Sequence, residues 1–124
     1  MNELLNQFEN QLYLNLETYR KNGEAMRTPV WFVDENNILY VRTIVKSGKV
    51  KRIRNNPKVK VVPCEADGQT TGQWVEGFAR FITEPSDAGR IEKLFDLKYG
   101  EVKKGIDAQR KAQGLLYATI AVEV

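Results

Sequence analysis

Residues 12–33 read Leu-Tyr-Leu-Asn-Leu-Glu-Thr-Tyr-Arg-Lys-Asn-Gly-Glu-Ala-Met-Arg-Thr-Pro-Val-Trp-Phe-Val. Leu12, Leu14, Leu16 and Thr18 alternate with Tyr13, Asn15, Glu17 and Tyr19. That period of two puts successive side chains on opposite faces of a strand. Asn22-Gly23 follows, the preferred pair for a tight hairpin because both positions tolerate positive φ. A second strand, Met26 to Val33, is therefore predicted to return antiparallel to the first. Pro29 lies inside it and cannot donate a ladder hydrogen bond, so this strand is expected at an edge, bulged or locally open.

The same pattern extends outward. Asp34-Glu35-Asn36-Asn37 reads as a turn and Ile38 to Thr43 as a third strand. Lys58 to Cys64, Gln73 to Thr83 and Leu115 to Val124 complete six strands. Residues 2–9 form a short predicted helix with Leu4, Leu5 and Phe8 on one side. Ser47 is the expected N-cap of a second helix through Arg54, which buries Val50 and Ile53 and stops at Asn55-Asn56-Pro57. Pro85-Ser86 opens a third that carries Ile91, Leu94 and Phe95 and ends near Gly100. Residues 101–113, with Val102 and Ile106 four apart, read as a short helix or an ordered loop. Six hairpin-linked strands are expected to close into a small barrel, which removes exposed edges.

The 124 residues suit one domain, 1–124. With 42% hydrophobic and 28% charged residues the chain is an ordinary globular one. No apolar run approaches the ~20 residues of a membrane span. The first residues lack a basic segment followed by an apolar one, so an export signal is not expected. A lone cysteine, Cys64, cannot form an internal disulfide, and a reducing cytoplasm is the expected location. The absence of histidine excludes Ser-His-Asp and Cys-His catalysis and histidine-based zinc sites. Catalysis must then use carboxylates, lysine, tyrosine or a cofactor. Residues 42–60 hold Arg42, Lys46, Lys49, Lys51, Arg52, Arg54, Lys58 and Lys60 and no acidic residue, although the whole chain is only +3. So concentrated a field attracts phosphate groups; the competing reading is a solvated basic helix face.

The ordered series Arg-Thr-Pro-Val-Trp-Phe, Leu-Tyr-Val-Arg-Thr, Ser-Gly-Lys-Val-Lys-Arg-Ile-Arg-Asn-Asn-Pro and Val-x-Val-x-Pro-Cys resembles the flavin-binding split barrel of the pyridoxamine 5′-phosphate oxidase-like superfamily. It is most similar to the group of probable coenzyme F420-dependent enzymes. The likeness runs from about Leu12 to Ile82 and resumes at Leu94 to Gly100. It implies a mainly β (α+β) fold, a six-stranded antiparallel split β-barrel with short flanking helices, and a homodimer with cofactor sites at the subunit interface. By similarity, Arg27, Thr28, Pro29, Val30 and Trp31 lie along the cofactor ring, and Arg42, Thr43, Ser47 and Lys49 hold its phosphate. Lys49 falls on the family's Ser-x-Lys lysine. Phe32 reads as core. Trp74 lies on the strand that carries a cofactor-facing glutamine in the oxidases, but Gln73 is one position out of register, which on a strand reverses the face. Trp74 therefore reads as interface packing or cofactor contact.

The resemblance implies FMN or coenzyme F420 as cofactor and hydride transfer to a small molecule. Oxidation of vitamin B6 itself is disfavoured, since no match to the oxidases' C-terminal substrate-binding region is present. Tyr13, Tyr40 or a water is the expected proton source. Two other classes remain open: a module that binds or senses a flavin without turnover, and a small nucleic-acid-binding barrel built on residues 42–60. The latter is disfavoured because its cations crowd one short helix and the rest of the chain is net acidic.

Overall fold

A computed structural model describes residues 3–124, so the expected helix start at residue 2 lies outside the described residues. In chain order the elements are α1 (Glu3–Asn6), β1 (Tyr13–Tyr19), β2 (Ala25–Glu35), β3 (Ile38–Ile44), α2 (Gly48–Asn55), β4 (Lys58–Cys64), β5 (Val75–Phe81), α3 (Pro85–Ala112) and β6 (Tyr117–Glu123). All strand pairs are antiparallel, and the order β1-β2-β3-β6-β5-β4 closes into a barrel when β4 pairs with β1. Local chemistry sets the hairpins. Gly23 takes a φ of 88° between β1 and β2, and the Arg20 N–H donates to the Glu24 carbonyl at 2.9 Å. Asn36 and Asn37 take φ values of 53° and 64° between β2 and β3, the paired positive angles that match strand twist.

Alternate side chains fill the barrel. Leu14, Leu16, Phe32, Val41, Val61, Ile120 and Val122 are fully buried in one cluster. Phe8, just beyond α1, meets Phe32 edge-on with ring centroids 5.7 Å apart. The other face of β2, β3 and β6 is covered too. Val33, Tyr40 and Ala121 pack there against Ile91 and Phe95 of α3, with Trp31, Leu94 and Tyr99 at the margin. On β1 both faces are buried, more than simple alternation predicts, because its polar side chains have partners. Asn15 donates to the Gly68 carbonyl at 2.8 Å, and Glu17 accepts from Tyr19 and Arg27.

Several boundaries differ from the sequence expectation: α1 ends at Asn6, and β2 runs on through Asp34 and Glu35, which read as turn residues. β5 begins at Val75, so Gln73 and Trp74 lie before it. The helix from Pro85 breaks at Gly100, as expected, and of the two readings of residues 101–113 the structure has the helical one, which runs on to Ala112. Gly100 has φ 55° and ψ −130°, a conformation that side-chain-bearing residues rarely adopt. A polar cluster holds the two halves together. Lys103, 4% exposed at its side chain, donates to Asp96 and Asp107 at 2.6 and 2.7 Å and lies 2.6 Å from Glu92. Arg42 of β3 forks onto both Glu92 oxygens at 3.1 Å and reaches Asp107 at 2.9 Å. Burial opposes the Lys103 charge, but the three carboxylates outweigh it and push its pKa above the ordinary lysine value. Asp107 is held below the ordinary carboxylate value: burial opposes its charge, and Lys103 and Arg42 overcome that.

The barrel is split along one seam. β2 and β3 pair only from Phe32↔Val41 to Glu35↔Ile38. Before Phe32, β2 pairs with β1 alone; after Val41, β3 pairs with β6 alone. Pro29 falls in the uncovered stretch of β2, where a strand can accommodate a missing N–H.

Candidate cofactor site

A cavity of about 390 Å³ occupies the seam. Its size is within the roughly 300–1,000 Å³ of small-molecule sites. Thr28, Pro29, Val30 and Trp31 line it from β2, Arg42 and Thr43 from β3, Lys49 from α2 and Tyr13 from β1. Ile106 and Arg110 of α3 and Tyr117 of β6 complete the wall. Seven of the ten residues expected at a cofactor site thus meet around one space.

The aromatic wall is held from behind. Tyr99 stacks on Trp31 with centroids 4.1 Å apart and planes 7° from parallel. The Tyr99 hydroxyl donates to the Leu12 carbonyl at 2.7 Å, or to the Phe32 carbonyl at 2.9 Å, and accepts from the Phe32 N–H at 2.9 Å. Burial pushes the Tyr99 phenol well above its usual pKa, so it stays a neutral donor. Next to it, Lys98 donates to the Phe32 carbonyl at 2.8 Å, and burial pulls its pKa down to about 8 against a smaller opposing effect of Asp34.

The cationic end is uneven. Arg42 lines the cavity but is neutralised by Glu92 and Asp107, and its guanidinium lies 3.5 Å from the Tyr117 ring centre. Lys49 has no carboxylate partner among the described residues. Burial first, and the neighbouring Arg52 and Arg110 charges second, hold its pKa below the ordinary lysine value. Ser47 takes the extended cap conformation of α2 but makes no side-chain cap; its hydroxyl lies 3.3 Å from that of Thr43. The pair forms a hydroxyl edge beside Lys49 in sequence.

Arg27 and Trp74 stand apart from the cavity wall. Arg27 donates to Glu17 at 2.8 Å and lies over the Trp74 ring, 4.8 Å from its centre. Burial disfavours the Glu17 charge, but Tyr19 and Arg27 outweigh it and hold the carboxyl below its usual pKa. Tyr40 is buried under α3, which leaves Tyr13 as the one of the two expected proton donors on the wall. Arg52 bonds Thr18 at 2.7 Å rather than reaching the cavity. Sequence reading missed Ile106, Arg110 and Tyr117. The first two carried a signal: Lys103, Ile106, Asp107 and Arg110 follow the three- and four-residue spacing of one helix face.

The chain was compared with known proteins. The sequence pattern of the pyridoxamine 5′-phosphate oxidase family matches residues 1–121. No curated protein matches the sequence. Several solved structures share the fold. An F420 reductase is 20% identical, with a TM-score of 0.63 over 99% of this chain and 94% of its own. A FAD-binding protein from Mesorhizobium loti is 16% identical, with a TM-score of 0.70 over 98% and 85%. The heme storage protein HutZ from Vibrio cholerae is 14% identical, with a TM-score of 0.72 over 98% and 87%. At these identities the likeness is one of fold. Among the described residues no helix is long and apolar enough to cross a membrane.

Proposed function

Because this chain belongs to the pyridoxamine 5′-phosphate oxidase family, we propose that it is an oxidoreductase that binds FMN or coenzyme F420 in the seam cavity. One observation carries the reading: an unneutralised Lys49 and a buttressed Trp31 face the same cavity, the pairing a flat ring on a phosphate tail requires. The residues fit the group. Along Thr28 to Trp31 the backbone has no β3 partner, which leaves N–H and C=O groups for a ring edge. Lys49 supplies the phosphate charge and the Thr43 hydroxyl a neutral donor. When bound, the cofactor supplies hydride chemistry, and the protein supplies orientation and electrostatics. Trp31 fixes the plane of the ring site, and Ile106 excludes water from one side. Tyr13 is placed to hold a proton for a small-molecule acceptor.

A homodimer that closes the site at the subunit interface belongs to the same proposal. Leu116, 73% exposed beside Tyr117 of the wall, is the kind of apolar residue a second copy would cover. A reducing, cytoplasmic setting suits the single buried Cys64. Non-catalytic storage is the second reading, since one structural relative is a heme storage protein. Haem would find no histidine in this chain and a buried thiol, so its iron would need a tyrosine or methionine ligand.

Absorbance and fluorescence titration with FMN and with F420 tests the proposal. Saturable binding of either is expected, with quenching of Trp31. Binding of neither refutes it. Stopped-flow mixing of the reduced, loaded protein with unsaturated acceptors then separates an enzyme from a binding module.

A further inference from the structure

The bend at Gly100 brings Arg110 to the cavity, and what it adds is charge. Among the described residues Arg110 has no carboxylate partner; its guanidinium lies only over the Tyr117 ring, 5.7 Å from the centre. Lys49 is likewise unpaired, whereas Arg42 is answered by two carboxylates. Among the described residues the cavity therefore presents two cations without carboxylate partners, from α2 and from α3; burial first, then Arg52, then Arg110 disfavour the Lys49 proton. Two like charges held together in a half-buried space are unfavourable until an anion arrives. A phosphate monoester carries close to two negative charges at neutral pH and offers three acceptor oxygens, enough for an ammonium and a planar guanidinium at once. A phosphodiester carries one.

We propose that Arg110 is a second phosphate-binding residue of this site, and that the Lys49–Arg110 pair selects a phosphomonoester, the form of phosphate on FMN, over a phosphodiester such as that of F420. This inference rests on the flavin reading above and narrows it. The guanidinium is kept in place by the elements around it. The Lys103 cluster ties the second half of α3 to the first half and to β3, and Arg110 lies one heptad after Lys103 on the same helix face.

The test uses three ligands with one ring: riboflavin, FMN and riboflavin 4′,5′-cyclic phosphate, a diester. Calorimetry or flavin fluorescence reads their affinities for the wild-type protein, Arg110→Gln and Arg110→Lys. The wild type is expected to bind FMN at least about tenfold tighter than the cyclic diester. Arg110→Gln is expected to lose about ten- to hundredfold in FMN affinity, leave riboflavin unchanged and close the gap between monoester and diester. Arg110→Lys should recover part of the loss. Circular dichroism melts establish that each variant is folded. Equal wild-type affinities for FMN and the cyclic diester overturn the inference, as does unchanged FMN affinity in folded Arg110→Gln. If F420 binds and FMN does not, this inference fails while the oxidoreductase reading stands. If no flavin or deazaflavin binds, both fail.

Discussion

Replacing Lys103 by Met removes the ammonium that joins both halves of α3 and keeps a side chain of similar length. The structure sets the magnitude. Lys103 meets three carboxylate oxygens at 2.6, 2.6 and 2.7 Å while almost fully buried. Breaking a buried ion pair by removing one partner typically costs about 3–5 kcal/mol. Here the orphaned carboxylates are not sealed: Asp96 is 56% and Glu92 38% exposed at the side chain, and Arg42 still holds Glu92 and Asp107. Water recovers part of the loss, so the expected cost is about 2–3 kcal/mol. For a chain of this length that lowers Tm by about 6–15 °C.

A pH series adds a signature that lost packing would not produce. The depressed Asp107 pKa stabilises the wild type above its ordinary value of 3.8, and this contribution is lost as pH falls through the folded value. In Lys103→Met the carboxylates repel one another, and acidification relieves them. The gap in Tm should therefore narrow below about pH 4. A double-mutant cycle with Asp96→Asn should show coupling between the two positions. A Tm within about 2 °C of wild type at pH 7, with no dependence of the gap on pH, would refute the reasoning.

Three further outcomes follow from the same geometry. Gly100→Ala places a side chain at φ 55° and is expected to cost about 1–3 kcal/mol in urea melts and to weaken FMN binding as Arg110 shifts. Lys49→Met should reduce FMN affinity at least about tenfold with little change in Tm, whereas Arg42→Gln, whose guanidinium belongs to the ion cluster, should lower Tm more than affinity; the reverse pattern would show the phosphate site misplaced. Lys98 titrates near 8 in the fold against an ordinary 10.5, so the unfolded chain holds the extra proton between those values. Stability from this group therefore rises with pH across that window, and Lys98→Met should abolish the rise in chemical-denaturation curves.

The strands were legible because their cues are local. Alternation over Leu12 to Tyr19, Asn22-Gly23, and the paired asparagines at 36 and 37 each fix backbone geometry within a few residues. Pro29 even marked where the ladder opens. The basic stretch pointed to Lys49 for the same reason: its charge is visible in one dimension. Arg42 looked equivalent in sequence, and only the fold shows that Glu92 and Asp107, 50 and 65 positions away, neutralise it. Arg110 was hidden for the converse reason. Gly100 reads as a helix stop and residues 101–113 as a helix or an ordered loop, and nothing local reveals that this second segment brings Arg110 to the seam of the barrel. Arg27 of β2 lies over Trp74 while bonded to Glu17 of β1, contacts between distant parts of the chain that the alternation does not encode.

The strand order also governs when the chain can fold. β6 pairs with both β3 and β5, yet it is the last strand, separated from β5 by all of α3. As the chain leaves the ribosome, β1 to β5 can assemble through neighbouring hairpins and the β1–β4 pairing. The backbones of β3 and β5 then wait, each with one unsatisfied edge, until Tyr117 to Glu123 emerges. Contacts of such sequence separation close slowly, because the loop entropy is spent before any of them forms. Nascent protein is thus most exposed to edge-to-edge association during the translation of α3, and a chaperone that shields strand edges would act in that interval.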